Sequence, residues 1–295
     1  MPTVRGAFSQ LLAPGLTELM FEWLKEHPEE YSQICSVKTS DSAYEEDQIV
    51  AGLGLARLKE EGEPITYDDP IQGGSKRYVH DAYALGWQVT REMLDDEKYG
   101  VMRQIPGELM KSCRQLWETI GTQPLNLGFT TLTTADGVAL FSASHPLLGG
   151  GTYSNLLSPA ADISVTALQD ALLLYENMVN ERGLKARISP TKLFIPPDMQ
   201  FKTAEILQSQ FKPYTGNNEI NVMQGRLTPI VLHYLTATNH WFIGSDEHNK
   251  VKFYWRKRPT VDSADDFDTK GSKHSIYFRV SVGATDWRGW VGSNP

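Results

Sequence analysis

The chain has little cysteine: Cys35 and Cys113 are the only two in 295 residues. Two thiols this far apart make neither a disulfide framework nor a zinc site, which need clustered ligands, so they read as reduced, partly buried packing groups. Long apolar runs are also missing. The longest stretch free of Asp, Glu, Lys and Arg, Gly137 to Ala161, is broken by Gly, Ser and Pro and cannot span a bilayer. The N-terminus has no charged segment followed by an apolar one, so no secretory signal is expected. Positive charge is scarce, with 28 Lys and Arg against 36 Asp and Glu. A net charge of -8 excludes a sequence-specific DNA reader, whose affinity depends on a basic face that neutralises phosphates. What remains is an ordinary globular composition, 40% hydrophobic and 22% charged, long enough for one large domain or two lobes.

Signatures of chemistry are equally sparse. No G-x-G-x-x-G or G-x-x-x-x-G-K-[ST] occurs; Gly52-Leu53-Gly54 and Gly73-Gly74-Ser75-Lys76 lack the spacing that aims backbone amides at phosphates. There is no G-x-S-x-G elbow and no H-E-x-x-H helix. Cys113 as nucleophile and His145 as base are a pair that a hydrolase could assemble, because such partners need only meet in space. Against that pairing, Cys113 sits on an apolar helical stripe and His145 precedes a proline in a Gly- and Ser-rich connection, which reads as a turn. Asp262, Asp265, Asp266 and Asp268 lack calcium-loop spacing and read as a hairpin turn. Trp287 and Trp290 stand out among the C-terminal aromatics as rings that could stack on bases.

The acidic charge is concentrated. Between Asp41 and Pro70 nine acids face only Arg57 and Lys59, a net of -7 out of the total of -8. This segment ends in Asp69-Pro70 followed by Gly73-Gly74, a turn signal, and reads as an excursion from the body. A solvated acidic loop and an arm that docks on a basic partner both fit. For the arm, Glu45, Glu46, Asp47, Glu60 and Glu61 are the candidate contacts, and Lys250, Lys252, Arg256, Lys257 and Arg258 the candidate receptors.

Periodicity supplies the elements. Leu16, Leu19, Met20, Trp23 and Leu24 predict a helix over 16 to 27. Alternation from Tyr78 to Thr90 predicts one strand with Val79, Tyr83, Leu85, Trp87 and Val89 on one face, with Tyr31 to Lys38 as its mate. Met102, Ile105, Leu109, Cys113, Leu116 and Ile120 predict a long helix to Thr119 closed by Gly121. Val165, Leu168, Leu172, Tyr175 and Val179 predict another, stopped by Gly183 as a C-cap. Strands are predicted at 193 to 195, 230 to 235 and 241 to 243, a helix at 199 to 210, and two long strands around an acidic turn at Asp262 to Asp268.

One stretch carries a family signature. Asp136-Gly137-Val138-Ala139-Leu140-Phe141-Ser142-Ala143-Ser144-His145-Pro146, then Asn155-Leu156, resembles the DG-x-x-LFS-x-x-H…NL pattern of Mu-like phage major head subunits, and the order of the later elements to Gly289 is similar. The resemblance implies an α+β Hong Kong 97-type capsid fold. Its expected parts are an N-terminal arm (1-38), an E-loop (39-80), a peripheral domain with a spine helix (81-124), an axial domain (125-245) and the peripheral return strands (246-295). It further implies a non-enzymatic major capsid protein without cofactor or metal that self-assembles as pentamers and hexamers into an icosahedral head. The expected partners are its own copies, a portal, a separate scaffold, decoration proteins and non-specifically packaged double-stranded DNA. No membrane is involved, and the shell is assembled in the host bacterial cytoplasm. An encapsulin-like compartment shares the fold, and the Cys113/His145 hydrolase is the alternative of another class.

Overall fold

The computed structural model describes residues 29–90, 92–93, 96, 101–212, 219–246, 251–266, 268 and 271–295. The helix expected over 16 to 27 and the candidate receptor Lys250 lie outside the described residues, as does the side chain of Met102. A short helix α1 (Tyr31–Ile34) leads into β1 (Ser36–Thr39), then β2 (Tyr44–Ala51), β3 (Ile71–Val79) and β4 (Asp81–Val89). The long helix α2 (Val101–Asn126) follows, then the two-residue strands β5 (His145–Pro146) and β6 (Thr152–Tyr153) and helix α3 (Val165–Glu176). Strand β7 (Lys192–Ile195), a 3-10 turn (Pro197–Met199), α4 (Gln200–Gln208), β8 (Thr228–Val231) and β9 (Trp241–Gly244) precede the long β10 (Val251–Asp265) and β11 (Ser272–Ala284) and the final β12 (Trp290–Ser293).

These elements form two four-stranded sheets, β1-β10-β11-β4 and β12-β9-β7-β8, and a separate ribbon of β2 and β3, the mixed helix-and-sheet class that was expected. Helix α2 lies on the first sheet through its buried stripe of Leu109, Met110, Cys113, Trp117 and Ile120. Trp117 meets Trp255 and Phe278 edge-on, each at 5.6 Å between ring centres, a geometry the aromatic quadrupole favours. Trp117 thus takes the place that periodicity gave to Leu116, which is exposed. Trp241, Trp255, Trp287 and Trp290 are fully buried. At roughly 25 cal/mol per Å2 over 150 to 250 Å2 each, such a ring contributes on the order of 4 to 6 kcal/mol, far more than any surface ion pair.

The helix does not stop at Thr119. It runs through Gly121 and Pro124 to Asn126, because Gly121 is a point of close approach and not a terminator. A Cβ there would lie 2.2 Å from the Cβ of Tyr31. The buried Glu118 one turn earlier accepts the backbone N–H groups of Tyr31 at 2.9 Å and Glu30 at 3.2 Å, so α2 holds the start of α1 from both sides. Tyr31 then stacks obliquely on Phe253.

The strand expected from Tyr78 to Thr90 is two strands divided at His80. β3 pairs with β2, and β4 pairs with β11. Tyr31 to Lys38 is therefore not its mate: α1 occupies the first half, and β1 runs parallel to β10. The division also separates the expected face. Tyr83, Trp87 and Val89 face inward as expected, whereas Val79 on β3 and Leu85 within β4 are exposed. Gly183 does not cap α3, which ends at Glu176; it turns a tight hairpin closed by the Val179–Lys185 bridge, with φ at 76°. The acidic turn is shorter than expected, because pairing continues to Asp265 and Ser272. The strand expected at 230 to 235 is Thr228–Val231, while Met199, Thr203, Ile206 and Leu207 are buried as read.

Replacing Gly121 by Ala is expected to lower stability by about 1 to 3 kcal/mol, as overpacking of a closed contact does. Equilibrium denaturation of the unassembled chain measures it; an unchanged midpoint would refute the close approach.

Candidate functional site

The ribbon β2–β3 projects from the body, and the residues between its strands, 52 to 70, are exposed throughout. This is the excursion that the acidic count located. Its root is fixed by bonds within the chain. Asp47 pairs with Lys252 and accepts from Thr285 Oγ1 at 2.8 Å. Burial pushes the Asp47 carboxyl up, but the Lys252 and Thr285 hydrogen bonds outweigh it and hold the group below the usual aspartate range. Glu46 accepts from Ser75 Oγ at 2.8 Å and faces Arg77 at 3.4 Å across the ribbon. Glu45 accepts from Ser40 Oγ at 2.6 Å. Arg256 lies 3.6 Å from Asp41.

Charge at the root is thus partly answered in cis. Glu60 and Glu61, by contrast, sit on the exposed tip, and Lys257 and Arg258 are exposed on β10, where they lie over Tyr277 and Trp255. The same tip carries Leu53, Leu55, Leu58, Ile65 and Tyr67, with Leu58 95% and Tyr67 89% exposed. Exposed large apolar groups gathered on one loop are a feature by which interaction surfaces are recognised. The charge count that located the segment gave these side chains no part.

Gly73-Gly74 is not a turn. Both lie inside β3, and a Cβ on Gly74 would fall 1.9 Å from the carbonyl oxygen of Ala135. Glycine here lets the ribbon lie flat on the loop that begins the signature stretch. That loop is organised by a buried polar chain. His145 Nδ1 is 2.7 Å from Asp136 Oδ2, and Nε2 is 3.1 Å from Asn155 Oδ1. Asn155 also accepts from Ser142 N–H and donates to the carbonyls of Leu140 at 2.7 Å and Trp290 at 3.2 Å. Asp136 accepts from Thr134 and from Val138 N–H. Burial raises the Asp136 carboxyl, yet the His145, Thr134 and Val138 hydrogen bonds hold it below the ordinary aspartate range. His145 is a fully buried hub stacked on Trp287 at 4.6 Å, and not an exposed turn residue.

Trp287 and Trp290 are each 1% exposed, so they are core rings and not free to stack on bases. Cys113 is buried on α2, and burial pushes its thiol up to about 11, away from the thiolate that a nucleophile needs. The ring nitrogens of His145 face Asp136 and Asn155, and no bond joins it to Cys113. Among the described residues no cluster of three or more His, Cys, Asp or Glu could hold a metal, and no helix is long and apolar enough to cross a membrane.

A family model described as "Phage capsid protein" matches residues 74–293. No curated protein matches the chain. Among solved structures, the capsid of Ralstonia phage GP4 is 11% identical, covering 89% of this chain and 88% of that one at a TM-score of 0.60. The procapsid of bacteriophage JBD30 is 14% identical over 99% of this chain and 76% of that one, TM-score 0.56. A virus-like particle from Pyrococcus furiosus is 11% identical over 95% and 98%, TM-score 0.57. At these identities the likeness shows the shared fold.

Two outcomes are expected. Since the folded carboxyl of Asp136 lies below the ordinary 3.8, its stabilisation is complete above that value and is lost as pH falls below it. Asp136→Asn should therefore flatten the acid limb of the pH–stability curve, measured by thermal melts; a limb of unchanged slope would refute the assignment. Cys113 should resist a mild electrophile until the chain is unfolded, and rapid labelling of the native chain, read by mass spectrometry, would revive the hydrolase reading.

Proposed function

Because the chain belongs to the phage capsid protein family, it is a major capsid protein of the icosahedral virion head, and we propose that its extended loop is what joins neighbouring subunits into pentamers and hexamers. The supporting observation is the 52 to 70 loop: exposed throughout, acidic, and lined by the open side chains of Leu53, Leu55, Leu58, Ile65 and Tyr67. In this reading the apolar side chains of the loop give the contact its energy, while Glu60 and Glu61 set its register against Lys257 and Arg258 of the neighbouring copy. Glu45, Glu46, Asp47, Lys252 and Arg256 act instead at the root, where their partners belong to the same chain. An exposed ion pair contributes only about 0 to 1 kcal/mol, so single contacts stay weak and reversible. Overlapping loops around a closed shell make them collectively strong, because each bond formed raises the effective concentration of the next.

We assign the chain to the Mu-like branch on its Asp136, His145 and Asn155 signature. The peripheral part comprises 81 to 124 with β10 and β11, and the axial part 125 to 245 with α3, α4 and the second sheet. The closing strand β12 pairs with β9 and so belongs with the axial sheet. The subunit acts without catalysis, and its partners beyond its own copies are a portal, a separate scaffold, decoration proteins and packaged double-stranded DNA held without sequence preference. The chain is assembled in the host cytoplasm. An encapsulin-like compartment shares this fold; the match to the phage capsid family favours the viral shell.

The test is a charge swap. Glu60→Lys with Glu61→Lys should abolish or slow shell formation while leaving the subunit folded, and adding Lys257→Glu with Arg258→Glu should restore it; Leu58→Ser should impair assembly alone. Light scattering and negative-stain microscopy read all three, and shells that form normally in both the Glu60→Lys/Glu61→Lys variant and Leu58→Ser would overturn the docking proposal.

A further inference from the structure

Resting on the reading of 52 to 70 as the joining loop, we infer that Arg182 is a positioning residue that sets the angle at which this loop leaves its own subunit. Its guanidinium gathers the two ends of the loop at once. Nε donates to the carbonyl of Gly52 at 3.0 Å, and Nη2 donates to the carbonyl of Asp69 and faces Asp68 Oδ1 at 3.4 Å. Asp68 in turn accepts the Gly54 N–H at 2.7 Å, so outgoing and returning strands close on one planar cation. Backbone N–H and the nearby guanidinium hold the Asp68 carboxyl below the usual range. Although it sits on the surface, the Arg182 side chain is only 18% exposed.

The cation is held by a rigid mount. It lies in the tight hairpin of 178 to 186, where Asn180 Oδ1 accepts the N–H groups of Arg182 and Leu184, both at 2.9 Å. The preceding residue, Glu181, is buried and bonded to Arg288 Nη1 at 2.6 Å and to Leu148 N–H at 3.1 Å. Adjacent residues therefore face opposite ways: Glu181 locks the hairpin to the body, and Arg182 holds the loop. Two of the three acceptors are backbone carbonyls, so the device depends on the guanidinium fork more than on charge pairing. A loop fixed in angle presents its apolar stripe to a neighbour in one orientation, which favours a single shell curvature.

The experiment uses the full chain. Hydrogen exchange of the 53 to 67 segment is measured in unassembled subunits, and shell diameter by electron microscopy after assembly. Arg182→Ala should speed exchange across the loop on the order of tenfold and broaden the distribution of shell diameters. Arg182→Lys keeps the charge but not the fork and should behave nearly as Ala does. Asp68→Asn, which retains an oxygen for Gly54 N–H, should change exchange much less. Exchange unaltered in Arg182→Ala, or fully restored by Lys, would overturn the clasp; a loosened loop with shells of one unchanged diameter would overturn its role in curvature. These outcomes are separable from failure of docking itself, because Glu60, Glu61 and Leu58 variants alter assembly without altering loop exchange in the free subunit.

Discussion

The buried chain Asp136–His145–Asn155 is the constraint on which the functional parts converge. A polar chain in a core is stable only if each member is satisfied, and here Asp136 and Asn155 are tied to backbone on several sides. Asn155 fastens the signature loop to the carbonyl of Trp290 at the start of β12, and His145 lies flat on Trp287 just before it. Ala135, one residue before Asp136, donates its N–H to Thr285 and presents the carbonyl against which Gly74 of the ribbon rests. Loss of one member would loosen the second sheet's last strand and the ledge beneath the projecting ribbon together.

This explains how a weakly bonded loop can be directed. The loop from 52 to 70 has no core of its own, so its direction must come from its root. Three anchors supply it from different parts of the chain: Asp47 with Lys252 and Thr285 on the first sheet, Gly74 against Ala135, and Arg182 around Gly52, Asp68 and Asp69. Each is modest by itself. Together they hold the ribbon both within its paired strands and where the loop leaves it, which resists swinging.

Charge and apolar surface then divide their work. Acids near the root are answered by cations of the same chain, so they contribute to shape, while the tip keeps its apolar side chains and Glu60 and Glu61 in the open. The aromatic core beneath α2, with Trp117 set between Trp255 and Phe278, supplies the rigidity.

The sequence by itself determined the class, the acidic excursion, the signature stretch and several helices, because these depend on local periodicity, local charge and short-range spacing. The inward face of α4 was legible for the same reason. Only the tertiary structure decided why Gly121 and Gly74 are glycine, since each is defined by an atom of a distant segment, Tyr31 and Ala135. The split of one apparent strand at His80 was also hidden, because alternation is continuous in sequence while the pairing partner changes in space. Arg182 gave no local signal at all: its partners lie more than a hundred residues away, and a lone arginine in a turn reads as solvated surface. Spacing reports what a residue's neighbours along the chain require; which distant backbone it must hold is fixed only when the chain has closed on itself.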